Sequence, residues 1–253
     1  MTMAYTIAID IGNTRTHLGL IDPEKLQCMS RLDLPSSEIE HQLLPSVHSL
    51  KEQGHGDIGR IVLAGGIRKA REWSAGMLRK TFGNVIEFKY NPELPVKFDY
   101  ENINCLGADR IAHALYGNAV FPEKNLILIS TGSAITVDLL VDHEFKGGTI
   151  LPGILMQLQS LHKFTDALPE IMPEGEFSLP GRSTEWCIRA GVLNGTAGAL
   201  NHIVESYKDS FASLDFRIVS TGGAWPLIEK LVNFETVYIP DMTLIGMSIL
   251  QSP

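Results

Sequence analysis

The sequence has little of what marks several protein classes. Only three of its 253 residues are cysteine, Cys28, Cys105 and Cys187, far apart and in no CxxC or Cys/His ligand spacing. A disulfide framework is excluded, and buried reduced thiols are expected. None of the eight histidines stands in an HxxxH or HExxH relation, so no structural zinc site is expected. Lysine and arginine never cluster, and 21 basic against 29 acidic residues leave a formal net charge of −8. The electrostatic footprint of a nucleic-acid binder is therefore missing. No apolar run reaches the ~18–20 residues that cross a bilayer, and Asp10 interrupts the first apolar stretch, where a secretory leader would carry no charge. These absences predict a cytoplasmic, unprocessed chain with neither membrane nor nucleic acid as partner. GxxxxGK[ST] and GxSxG are also missing, which removes the P-loop and the α/β-hydrolase elbow, and the loop Thr221-Gly222-Gly223 carries no GxGxxG fingerprint.

What is there is an ordinary globular composition, 44% hydrophobic and 20% charged, long enough for one large domain or two lobes. Tyr5–Asp10 reads as a strand, Gly12-Asn13-Thr14 as a turn, and Thr16–Ile21 as a returning strand. Ser37 and Glu40 have capping-box spacing at the start of a helix. Strand Arg60–Ala64, helix Arg68–Thr81 and strand Val85–Phe88 follow. A proline-containing loop leads to Gly107-Ala108-Asp109-Arg110 and a helix to about Val120. Then the hairpin recurs: strand Leu126–Ile129, turn Ser130–Ser133, strand Ala134–Val141. Beyond Gly147-Gly148 and Pro152-Gly153 the pattern predicts a helix near Ile154–Leu161, a long helix from about Thr184 to Tyr207, and strand Arg217–Ser220. Thr221-Gly222-Gly223 opens a predicted helix Pro226–Val232, followed by strand Val237–Ile239 and a short C-terminal helix near Leu244.

Set side by side, Ile9-Asp10-Ile11-Gly12-Asn13-Thr14-Arg15-Thr16 and Ile129-Ser130-Thr131-Gly132-Ser133-Ala134-Ile135-Thr136 both run apolar strand, polar residue, glycine turn, threonine. The repeat predicts an α/β fold of two similar lobes, 1–105 and 106–253, with a ligand cleft between them.

Three segments carry candidate chemistry. A glycine hairpin after Asp10 offers backbone N–H groups and the Asn13 and Thr14 side chains to a phosphate, and a strand-end carboxylate can hold Mg²⁺ or its waters. An ordinary Asn-containing hairpin is the bland alternative. Asp109 at a helix start could accept a hydroxyl proton and Arg110 could grip an anion, though an acidic residue in a first turn also simply complements the helix dipole. Thr221-Gly222-Gly223, between strand and helix, could let a nucleotide rest on backbone, or be a plain turn.

In this order, Asp10-x-Gly12-Asn13-Thr14, Gly107-Ala108-Asp109-Arg110, Thr131-Gly132-Ser133-Ala134-Ile135-Thr136-Val137-Asp138, Gly147-Gly148-x-Ile150-x-Pro152-Gly153 and Thr221-Gly222-Gly223 resemble the type III pantothenate kinases. These are also called the Bvg accessory factor family, within the acetate and sugar kinase/Hsc70/actin superfamily. The resemblance implies two ribonuclease H-like (actin-like ATPase) lobes with mixed sheets flanked by helices. It also implies transfer of the γ-phosphate of ATP to pantothenate, the first step of coenzyme A biosynthesis, with Mg²⁺ and a monovalent cation, K⁺ or NH₄⁺. Asp10 would organise the metal, and Gly12, Asn13, Thr14, Thr131, Gly132, Ser133, Gly222 and Gly223 would contact ATP. Asp109 would be the general base, with Tyr100, Gly107, Arg110 and a partner-supplied Thr184 around pantothenate. The helix after Thr184 would supply a homodimer interface.

Ser130 departs from the family, which usually has Asp at this second metal position. A hydroxyl is a neutral and weaker ligand than a carboxylate. Ser183 likewise stands where Asn is usual. A weakened family member that binds or regulates, and another kinase of the superfamily, are the alternative readings.

Overall fold

The computed structural model describes residues 4–54 and 58–249. In chain order the regular elements are β1 (Tyr5–Ile11), β2 (Arg15–Asp22), β3 (Gln27–Pro35), α1 (Ile39–Gln53), β4 (Ile58–Gly65), α2 (Arg68–Phe82), β5 (Val85–Glu87), β6 (Lys97–Phe98), α3 (Ala108–Val120), β7 (Asn125–Thr131), β8 (Ala134–Val141), β9 (Glu144–Pro152), α4 (Ile154–Lys163), α5 (Thr184–Ser210), β10 (Phe216–Thr221), β11 (Val237–Tyr238) and α6 (Met242–Ser248). They gather into two units. The first runs to Pro122 and resumes at Asp241; the second is Glu123–Pro240.

In the first unit β1 lies at the middle of a sheet ordered β3-β2-β1-β4-β5. The β1–β2 and β2–β3 pairs are antiparallel, and β1–β4 and β4–β5 are parallel. A strand flanked on both sides and covered on both faces must be apolar throughout, which is why Ile7, Ala8 and Ile9 are fully buried and β4 contributes Ile61–Ala64. Helices α1 and α2 cover one face through Leu43, Val47, Leu50, Ala75 and Leu78.

The second unit repeats the plan. Its strands run β9-β8-β7-β10-β11, with β7–β8 and β8–β9 antiparallel and β7–β10 and β10–β11 parallel. Strand for strand, order and polarity match the first sheet, so the paired hairpins read from the sequence mark a structural duplication. The core of this unit joins Ile127, Ile129, Ile135 and Val137 to Leu158 of α4 and Leu193, Leu200 and Val204 of α5.

Several expectations are corrected. The expected lobe boundary lay at 105/106, whereas the contact boundary lies after Pro122, because α3 packs on α6 and β4 within the first unit. Strand β9 crosses Gly147-Gly148, where no strand was expected; a Cβ at Gly148 would overlap Asp138 of β8, so a strand glycine is what this approach requires. The predicted helix 226–232 is a single 3-10 turn, Trp225–Leu227, continued by irregular turns that bury Trp225 and Ile228. The capping box does not form: Ser36–Glu38 is a 3-10 turn and no side chain caps α1. The cysteines are reduced but not buried, Cys105 and Cys187 being exposed and Cys28 half-buried.

Candidate active site

The β1–β2 hairpin ends in the backbone hydrogen bond from Gly12 N–H to the Arg15 carbonyl, 3.0 Å, and leaves Asn13 and Thr14 exposed at its tip. It is held from behind by a residue the sequence reading assigned only to a helix start. Ser36 donates its N–H to the Thr14 carbonyl at 3.0 Å and its hydroxyl to the Gly12 carbonyl at 2.8 Å, and its Oγ lies 3.1 Å from Thr16 Oγ1. With the carbonyls of the loop engaged by Ser36, its conformation is set before any ligand arrives.

Asp10, half-buried, occupies the last turnward position but one of β1, with His17 its cross-strand neighbour. Its carboxyl pKa is raised from 3.8 to about 6, chiefly by burial, then by the negative charge of Asp109, with His17 opposing. Asp10 and Asp109, 99 residues apart in sequence, are thus electrostatic neighbours within one unit. On the next strand His17 Nδ1 lies 2.6 Å from Asp33 Oδ1, and Arg31 joins Asp33 at 2.8 Å and Asp241 at 2.9 Å.

Asp109 stands in the first turn of α3, whose N-cap is Gly107. Arg110 is buried, and its Nη1 donates to the Tyr100 hydroxyl at 3.4 Å while its guanidinium lies 5.6 Å from the Tyr100 ring centroid. The ring and the hydroxyl of Tyr100 together orient the guanidinium. The structure therefore brings Tyr100, Gly107, Asp109 and Arg110 together, with Asp10 close enough to sense Asp109.

The second unit assembles its own donor-rich corner. Thr131 Oγ1 donates to the Thr221 carbonyl at 3.0 Å, and Ala224 N–H donates to the Thr131 carbonyl at 3.2 Å. Gly222 has φ +97°, and a Cβ there would stand 2.5 Å from the Thr131 carbonyl oxygen, so hairpin and loop meet only with glycine at this position. Thr131, Gly132, Ser133, Gly222 and Gly223 are consequently one surface, with Gly132, Ser133 and Gly223 exposed. Ser130 pairs with Thr136 on β8 and Thr221 on β10, three hydroxyls in a row; Thr136 is buried and its Oγ1 has no hydrogen-bond partner. Thr184 opens α5, exposed, behind the N-cap Ser183, whose hydroxyl accepts from Trp186 N–H at 3.2 Å.

Among the described residues no three His, Cys, Asp or Glu side chains gather into a metal-binding group. The donor set around Asp10, one carboxylate under pressure from a second, fits instead a hard cation that takes most of its ligands from phosphate and water. Among the same residues no helix is long and apolar enough to cross a membrane.

A family model described as type III pantothenate kinase matches residues 6–206. The type III pantothenate kinase of Cytophaga hutchinsonii is 30% identical over 246 residues, covering 96% of both chains. That of Kosmotoga olearia is 31% identical over 247 residues, covering 96% of this chain and 94% of its own. Among solved structures, a Campylobacter jejuni protein described as a Baf family transcriptional activator superposes with a TM-score of 0.61 at 18% identity, covering 95% of this chain and 94% of its own. A ROK family glucokinase of Streptomyces griseus, in complex with glucose and AMPPNP, gives 0.58 at 12%, covering 96% and 98%. At such identities these two likenesses concern the fold, which is that of the actin-like ATPases and sugar kinases.

Proposed function

The chain belongs to the type III pantothenate kinase family, and on that premise we propose how its residues divide the work of the reaction. The protein is a kinase that transfers the γ-phosphoryl group of ATP to the terminal hydroxyl of pantothenate, giving 4′-phosphopantothenate for coenzyme A biosynthesis. The observation that carries the assignment of roles is the placement in one unit of Asp10, at the end of β1 beside the Gly12 hairpin, and Asp109, in the first turn of α3, whose charge raises the Asp10 carboxyl.

Asp109 takes the proton of the pantothenate hydroxyl as its oxygen attacks the γ-phosphorus, and Tyr100, Gly107 and Arg110 hold the rest of that substrate, Arg110 through its planar donor fork. Gly12, Asn13 and Thr14 donate to phosphate oxygens from a loop that Ser36 has already ordered, so little reorganisation accompanies charge transfer. Thr131, Gly132, Ser133, Gly222 and Gly223 form the second unit's contribution to ATP binding. Asp10 would hold Mg²⁺, which would neutralise phosphate charge and relieve the unfavourable ionisation of this carboxyl. Ser130, with the unpartnered Thr136 hydroxyl beside it, supplies neutral oxygens suited to a monovalent cation, K⁺ or NH₄⁺, better than to a second divalent one.

The protein works as a homodimer in the cytoplasm. The exposed stripe of Cys187, Gly191, Gly195 and Gly198 along α5 supports an α5-mediated interface, since no atom lies within 4 Å of a Cβ built on any of the three glycines. Thr184 at the start of α5 would then complete the pantothenate site of the other protomer.

Asp109→Asn tests the scheme. Loss of the base while the side-chain shape stays should lower kcat about 10²–10⁴-fold without lowering the thermal melt; near-normal turnover would remove Asp109 from its role. The neutral Ser130 favours a second reading, a member with weakened turnover that acts by binding. Failure of the purified wild type to form ADP with pantothenate, Mg²⁺ and K⁺, while still binding ATP, would select it.

A further inference from the structure

Helix α6 lies in the same unit as α3, and two contacts fix one on the other. Gly246 approaches the Ala112 carbonyl so closely that no Cβ would fit between them. One turn earlier along α6, the Thr243 hydroxyl meets His113 Nε2 at 2.8 Å. His113 is only 1% exposed, and it follows Asp109 by four residues, which places both on the same face of α3. No step assigned so far uses this imidazole, although it is buried, polar and adjacent to the base.

The ring lies in the fields of Asp109 and Arg110, whose effects oppose each other, and burial dominates both, taking its pKa down to about 4. At neutral pH the ring is therefore uncharged. An imidazolium in this position would stabilise the Asp109 carboxylate and make it a poorer base; a neutral ring orients without that cost.

We infer that His113 and Thr243 form a positioning pair: their hydrogen bond holds a neutral imidazole beneath Asp109 and fixes the first turn of α3, so that α6 helps to set the aim of the base without touching substrate. The inference rests on Asp109 being the base. It differs from a packing role in one respect: loss of the bond acts on the chemical step and not on substrate capture, because misaim of a base raises the barrier while the surfaces that bind ATP and pantothenate stay intact.

The test is steady-state kinetics on full-length Thr243→Val, Thr243→Ser, His113→Leu, the Thr243→Val/His113→Leu double variant and Asp109→Asn, each checked by thermal melting. Thr243→Val is close to isosteric and removes only the hydroxyl. It should lower kcat about tenfold with both KM values within about twofold, and Thr243→Ser should restore the rate. His113→Leu should fall at least as far, and the double variant should be no slower than His113→Leu alone, since the two residues act through one bond. A Thr243→Val enzyme with wild-type kcat, a loss confined to KM, or multiplicative losses in the double variant would each overturn the pair. If those results come with an inactive Asp109→Asn enzyme, only the positioning pair fails. If Asp109→Asn turns over normally, the base assignment fails and the pair with it.

Discussion

Asp10→Asn should make the protein more stable and catalytically inert, and the structure sets the size of the gain. In the folded chain the Asp10 carboxyl ionises near pH 6 in place of 3.8, because it is buried and faces the charge of Asp109. The folded state therefore binds this proton more tightly than the unfolded state does. Stability contributed here is present at low pH and is lost as pH rises through the interval between the two values. Above about pH 7 the loss is complete and amounts to about 3 kcal/mol, at about 1.4 kcal/mol for each pH interval of one. Asparagine never ionises, so the variant escapes it. In metal-free buffer at pH 7.5, urea denaturation should place Asp10→Asn about 2–3 kcal/mol above wild type. At pH 4 the two proteins should be nearly equal. Added Mg²⁺ and ATP should stabilise the wild type and leave the variant almost unmoved, because the cation answers the charge that asparagine lacks. Equal stabilities at pH 7.5, or a variant less stable than wild type there, would refute the reasoning that the charged carboxyl is held against its preference.

Three further outcomes follow from the geometry. Ser36→Ala removes the donor to the Gly12 carbonyl; it should cost about 1 kcal/mol in denaturation and raise KM for ATP several-fold with little change in kcat. Gly222→Ala forces a side chain into the Thr131 backbone at positive φ, and should both destabilise by more than about 1 kcal/mol and weaken ATP binding in calorimetry. Ser130→Asp should lower the Mg²⁺ concentration needed for half-maximal rate, measured by ADP release; an unchanged Mg²⁺ curve would place Ser130 away from the Mg²⁺.

Much of the fold is legible in the sequence where burial dictates composition. Strand β8 runs Ala134–Val141 as its apolar run predicts, and the hairpin repeat around Asp10 and Ser130 marks two sheets that share one order over five strands. Strand β9 is not legible, because glycines disfavour a strand locally and only the approach of Val137 and Asp138 across the sheet explains Gly148. Of the candidate site, Asp10, Asp109 and Arg110 stand out only through the resemblance of their ordered motifs to the family, since each segment alone also reads as ordinary turn or helix-start chemistry. The supports do not stand out at all. Ser36 reaches Gly12 across 24 residues, and Thr243 reaches His113 across 130, contacts that no local pattern encodes. That α3 belongs to the first unit is illegible for the same reason, since it depends on α6 returning from the far end of the chain.

Site-resolved NMR titration of the Asp10 carboxyl, in wild type and in Asp109→Asn, tests most directly the claim that these two carboxylates share one site. The wild-type group should titrate near pH 6, and removal of the Asp109 charge should move it down towards its ordinary 3.8 without reaching it, because burial remains. A midpoint that does not move when Asp109 is neutralised would contradict the account.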